Sequence, residues 1–181
     1  NPDGSIAIPG VTEGVVESDA AERARLAGLP VDEESFRAEA GSPALFGEPN
    51  RGLYERVWAR PTFEVNGIFG GYQGAGEKTI IPAWAAAKLS LRLVPGQEPD
   101  RVFEATRRYF ESRAPRTVRL QVTRGHGARA QYFLPSGPWP DRAIRAMGDA
   151  GRTPPRLVRA GGSIPVVEVF HIVGDYAHDK P

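Results

Sequence analysis

Two stretches of the chain alternate apolar and polar residues with a period of two. In "PTFEVNGIFGGY", Phe63, Val65 and Gly67 alternate against Thr62, Glu64 and Asn66; in "AAAKLSLRLVP", Leu89, Leu91 and Leu93 alternate against Lys88, Ser90 and Arg92. Successive strand side chains point to opposite faces, so both stretches predict strands with one covered face. Between Pro99 and Ala114, "PDRVFEATRRYFESRA" gathers Val102, Phe103, Thr106, Tyr109 and Phe110 on one side at helical spacing. Pro99 suits the first turn, where a missing N–H leaves no helical bond unmade. "TVRLQVTRG" alternates Val118, Leu120 and Val122 and predicts a third strand. The order strand, strand, helix, strand after earlier helices is that of an α+β, ferredoxin-like two-layer sandwich, an antiparallel sheet with helices on one face.

Polar punctuation marks the remaining elements. "NPDGSIAIPG" has no period and reads as a loop. In "SDAAERARLAGL", Asp19 is placed to cap a helix with Glu22 three residues on, and Asp32 opens a second helix that stops at Gly41. "SPALFGEPNRGLYERVWAR" is connecting structure with a helical turn from Leu53 to Trp58. Beyond Gln131 the character changes. Pro135, Gly137, Pro138 and Pro140 form a linker, "DRAIRAMGDAG" a short helix, "PRLVRA" a short strand and "GGSIPVVEVF" a turn into a further element, as part of another layer.

Composition narrows the class. The chain has 181 residues, 40% hydrophobic and 25% charged, which describes a globular protein rather than a disordered or fibrous one. No apolar run approaches the length of a membrane span and no signal segment opens the chain, so a cytoplasmic protein without membrane contact is expected. With no cysteine, neither disulfides nor thiolate chemistry are available, and any metal must be held by His, Asp or Glu. Charge is uneven. Residues 101–160 hold thirteen basic and four acidic side chains, a surplus that suits either carboxylate substrates or nucleic acid.

Candidate chemistry begins with "GGYQGAGEKTIIP". Its glycines, Lys78 and Thr79 suggest a phosphate loop, but Glu77 separates Gly76 from Lys78, and Pro82 with β-type residues follows where a helix N-terminus is needed. Ser163 in "GGSIP" fails as a nucleophile because Pro165 replaces the last glycine of G-x-S-x-G. The Gly-Gly-Ser turn instead offers amides and a hydroxyl of the kind that bind carboxylates or oxyanions. Arg92, on a polar strand face, has the planar fork that grips a carboxylate. The histidines are His126, His171 and His178, with Asp175 three residues before the last.

Taken together, "WARPTFEVNGIFGGYQGAGEKTIIPAWAAAKLSLRLVPGQEPDRV" and "RLVRAGGSIPVVEVF" resemble, in order, the dinuclear zinc peptidases of the carnosine dipeptidase, aminoacylase and glutamate carboxypeptidase superfamily, especially its bacterial dipeptidase branch. The resemblance implies a ferredoxin-like lid and dimerisation domain over residues 1–130 and a partial return into an α/β catalytic domain over 131–181. It implies that Thr79 and Arg92 grip the substrate's terminal carboxylate and that Gly162 and Ser163 form a substrate-binding turn. His178, in "AHDK", resembles the last metal-binding histidine, although the interval from Ser163 is shorter than the family's.

The implied parent is a zinc-dependent dipeptidase or amidohydrolase, holding two zinc ions and acting as a homodimer on dipeptides or N-acyl amino acids. Its H-x-D metal segment and glutamate general base belong before Asn1, so no catalytic residue is expected in this chain, which supplies clamp and cover and is inactive alone. The alternative is a ferredoxin-like dimerisation or nucleic-acid-binding module without catalysis.

Overall fold

Short carboxylate caps begin the first helices. The Asp19 carboxylate accepts from the Glu22 N–H at 2.7 Å and starts α1 (Ala20–Ala27), and Asp32 accepts from the Ser35 N–H at 2.8 Å and starts α2 (Glu33–Glu39). These elements belong to a computed structural model that describes residues 1–30, 32–133, 136–151 and 153–159. A third helix, α3 (Leu53–Trp58), lies against α1 and stacks Tyr54 on Trp58 with ring centroids 4.6 Å apart. All three fall where the caps and punctuation place them.

The strands β1 (Thr62–Gly70) and β2 (Ala85–Arg92) pair antiparallel, from Thr62 opposite Arg92 to Gly70 opposite Ala85. The register shifts between Val65 and Gly67, so Asn66 is the extra residue of a bulge. Residues directly across a ladder share a face. Gly67 therefore joins Lys88 on the polar face, and Ile68 joins Val65 and Leu89 on the apolar one, where simple alternation assigns Gly67 to the apolar side.

Helix α4 (Pro99–Arg113) begins with its proline in the first turn and covers the base of the hairpin. Ile8, Val11 and Val102 form the buried centre, with Phe63, Leu91, Leu93, Ala105 and Tyr109 packed around it, and Phe63 meets Phe110 at 6.4 Å between ring centroids. Two of the three central residues come from the N-terminal loop. That loop is fixed by Gln97, which is fully buried, accepts from the Val94 N–H at 2.8 Å and donates to the Val11 carbonyl at 2.5 Å. Beside it, Gly14 and Gly96 touch so closely that a Cβ on Gly96, whose φ is +89°, would lie 2.0 Å from the Gly14 oxygen.

The α+β class and the antiparallel sheet are present, but the third strand is not. Residues 117–133 join no ladder, and Val118 and Leu120 are exposed. Alternation supplies a suitable face, not a partner. Here Arg124 pairs with Asp100, and Arg129 with Glu98, at the start of α4. The expected strand in "PRLVRA" is likewise absent from the described residues 155–159, whose arginines bind α1 instead. The last helix, α5 (Pro138–Gly151), starts three residues earlier than Asp141 and buries none of its side chains, leaving Trp139 and Met147 exposed. Among the described residues, no helix is long and apolar enough to cross a membrane.

Candidate functional site

Arg92 ends β2. It is exposed and sits on the strand face that also carries Ser90 and Lys88. Across the ladder on the same face stand Thr62, Glu64 and Asn66; the Ser90 hydroxyl lies 3.3 Å from a Glu64 oxygen and 3.2 Å from the Asn66 amide oxygen. The Lys88 ammonium lies 5.3 Å over the Phe69 ring. Thr62, directly opposite Arg92, has a buried hydroxyl with no hydrogen-bond partner among the described residues. Only the register reveals it, since a threonine at a strand start carries no functional signal in sequence.

Thr79 lies in the exposed loop between the strands. Gly71 and Gly76 turn the chain with φ of +70° and +82°, a region L-residues rarely enter. The Tyr72 hydroxyl donates to the Ala75 carbonyl at 3.1 Å, and Lys78 stands 5.5 Å over the Tyr72 ring. This loop is a self-braced corner, with its lysine directed to an aromatic face.

The loop springs from Gly70 and Ala85, whereas Arg92 is at the other end of the hairpin. The eight-residue strand from Ala85 to Arg92 spans about 24 Å. The register thus separates the root of the Thr79 loop from Arg92 instead of bringing them together. Gly162, Ser163 and His178 lie outside the described residues. Among the described residues, no three His, Asp or Glu side chains are grouped to hold a metal ion, so this part of the chain does not by itself fit a zinc centre.

A family model described as a peptidase dimerisation domain matches residues 19–118, a span that holds the whole hairpin and α4. The chain belongs to this family. Its relatives include the Cys-Gly metallodipeptidase dug1 of Schizosaccharomyces pombe, 30% identical over 179 residues that cover 93% of this chain and 36% of that protein. The human Beta-Ala-His dipeptidase is 25% identical over 178 residues, covering 92% and 34%.

Among solved structures, an M20 family metallo-carboxypeptidase, Sso-CP2 from Sulfolobus solfataricus, superposes with a TM-score of 0.77 at 25% identity over 94% of this chain and 39% of that one. Human carnosine dipeptidase 1 has the same fold over 96% of this chain and 37% of its own, with a TM-score of 0.76 at 24% identity. The chain spans about a third of the length of the curated relatives it matches. The resemblance carried by the glycine loop and "GGSIP" thus holds at the level of the dimerisation domain and its metallopeptidase relatives.

Proposed function

We propose that this peptidase dimerisation domain is the lid of a zinc-dependent dipeptidase or amidohydrolase whose substrates, dipeptides or N-acyl amino acids, have a free carboxylate. The family match over residues 19–118 carries the reading, because it contains both Thr79 and Arg92. Arg92 binds the substrate carboxylate through its guanidinium fork, with Thr79, Gly162 and Ser163 as further binding groups. Such remote binding orients the scissile bond and favours substrates with a free C-terminus. Residues 1–130 form the lid and 131–181 return toward the catalytic domain of a cytoplasmic enzyme. Zinc held in the parent enzyme would supply Lewis-acid activation of a water and of the scissile carbonyl. Its ligands and the general base come chiefly from the rest of the parent enzyme, with His178 as this chain's contribution. The 181-residue chain should show no zinc-dependent dipeptide hydrolysis, whereas the complete enzyme should. Clear turnover by the chain alone would sink the division of labour.

The lid also pairs with a second copy. Its hairpin leaves apolar surface uncovered beyond the reach of α4: Ile68 is 77% exposed, Val65 54% and Leu89 37%, all on one face. Fully burying such a side chain contributes about 1.5–3 kcal/mol. Ile68→Glu is therefore expected to weaken a homodimer roughly 100-fold, each 1.4 kcal/mol being a factor of ten. Sedimentation velocity over a dilution series should show the monomer appear at higher concentration. An unchanged dimer would move the interface elsewhere.

No specific observation favours the nucleic-acid alternative. Several arginines that make residues 101–160 basic are engaged with carboxylates of the chain itself: Arg107 with Glu104 and Glu111, Arg124 with Asp100, Arg129 with Glu98 and Arg159 with Glu22.

A further inference from the structure

The chain holds three asparagines, Asn1, Asn50 and Asn66. The side-chain Cγ of an asparagine can close a five-membered ring with the backbone nitrogen of the next residue, so the residue that follows decides whether the two join. Pro2 follows Asn1 and brings no N–H. Arg51 follows Asn50 and brings a side chain, fixed by Glu17 and Glu55 at 2.7 Å each. Gly67 follows Asn66. With no Cβ, glycine leaves the approach to its nitrogen open and lets the backbone turn to make it. The Phe69 ring, which a Cβ on residue 67 would meet at 3.1 Å, favours glycine there.

The place of Asn66 in the hairpin adds to this. It is the extra residue of the β1 bulge, exposed and without a ladder partner, so pairing restrains it less than its neighbours. The Ser90 hydroxyl, across the hairpin, donates to the Asn66 amide oxygen at 3.2 Å and shares its proton with Glu64 at 3.3 Å. Attack on Cγ builds negative charge on that amide oxygen, and a donor already aimed at it lowers the barrier.

We propose that Asn66 is a self-modification site. The Gly67 nitrogen bonds to the Asn66 Cγ, the Cγ–Nδ2 bond breaks, and Nδ2 leaves as ammonia with the proton of the Gly67 amide. Water, the one co-reactant, then opens the cyclic imide. Breaking the new bond to Cγ gives aspartate; breaking the original peptide bond gives isoaspartate, with Gly67 now linked through Cγ. Either product places a carboxylate on the face that holds Glu64 and Ser90. Isoaspartate also draws the side-chain carbon into the main chain at the bulge, where the faces of Gly67 and Ile68 are decided. The ladder from Gly67 to Gly70 then loses its match to Ala85–Lys88.

Ageing of the complete enzyme in neutral buffer, followed by peptide mapping with mass spectrometry that separates aspartate from isoaspartate, tests the site. Asn66 should convert to both products at least about tenfold faster than Asn50, and Gly67→Ala should slow it by about tenfold. Ser90→Ala, which leaves the glycine and the bulge in place, should slow it about threefold. In the isoaspartate fraction, amide exchange at residues 68–70 and 85–87 should quicken about tenfold with α4 unchanged. Conversion at Asn66 no faster than at Asn50 overturns the site. An unaltered rate in Ser90→Ala overturns the part given to the hydroxyl, and unaltered exchange at 68–70 overturns the effect on the ladder. None of these readouts depends on whether the enzyme cleaves dipeptides.

Discussion

Arg92→Ala in the complete enzyme is expected to lower kcat/KM for a dipeptide with a free C-terminus by about 10- to 100-fold, because a hydrogen bond to a charged group contributes roughly 1.5–3 kcal/mol. The corresponding dipeptide amide should lose less than about twofold, since it offers no carboxylate for the guanidinium to match. Arg92→Lys should recover only part of the loss, as an ammonium restores charge without the planar fork. The position supports the expectation. Arg92 is the last residue of β2, exposed, and opposite Thr62, whose hydroxyl lacks a partner among the described residues. Steady-state kinetics on the acid and amide pair decide the matter, and equal losses on both substrates would remove Arg92 from the clamp.

Gln97→Ala should be the most damaging change to the fold that touches no proposed binding group. Gln97 is 2% exposed, and its amide joins the Val94 N–H to the Val11 carbonyl through two buried hydrogen bonds. Truncation leaves both buried groups unsatisfied, at about 1–3 kcal/mol each. A loss of about 3 kcal/mol is expected. With a urea m-value of about 2 kcal/mol/M, the unfolding midpoint should fall by about 1.5 M at unchanged m. Gln97→Glu should do no better, because it sets an acceptor against the Val11 carbonyl. A loss below about 1 kcal/mol would show that the N-terminal loop is held by its apolar contacts alone.

The sequence was legible wherever structure is written in local chemistry. Asp19 and Asp32 cap, Pro99 opens α4, and the Leu89 and Leu91 alternation makes β2. It was less so where the deciding partner is distant. Val118 and Leu120 have a strand's pattern, yet the segment joins no ladder and its Arg124 and Arg129 pair with Asp100 and Glu98 at the start of α4. Ile8 and Val11, in a loop without periodicity, became core because Gln97 reaches across 86 residues to hold them. Glu22 announced a capping box and was taken by Arg159. The bulge at Asn66 likewise reassigned Gly67 and Ile68, since one extra residue inverts every side chain beyond it. For the candidate site, residue types pointed to Arg92 and Thr79, but the distance between Arg92 and the root of the loop exists only in the register.

That register also makes the hairpin a lever. Its base is gripped by α4 and the Gln97 stitch, with Arg92 close to the fulcrum, while every residue from Gly71 to Ser90 is exposed. A rotation of about 10° at the base would carry a point about 24 Å along the strands through about 4 Å. Arg92 would hardly move. Any tilt at the base is therefore amplified along the strands, so that the root of the glycine loop would shift by ångströms where Arg92 stays nearly fixed.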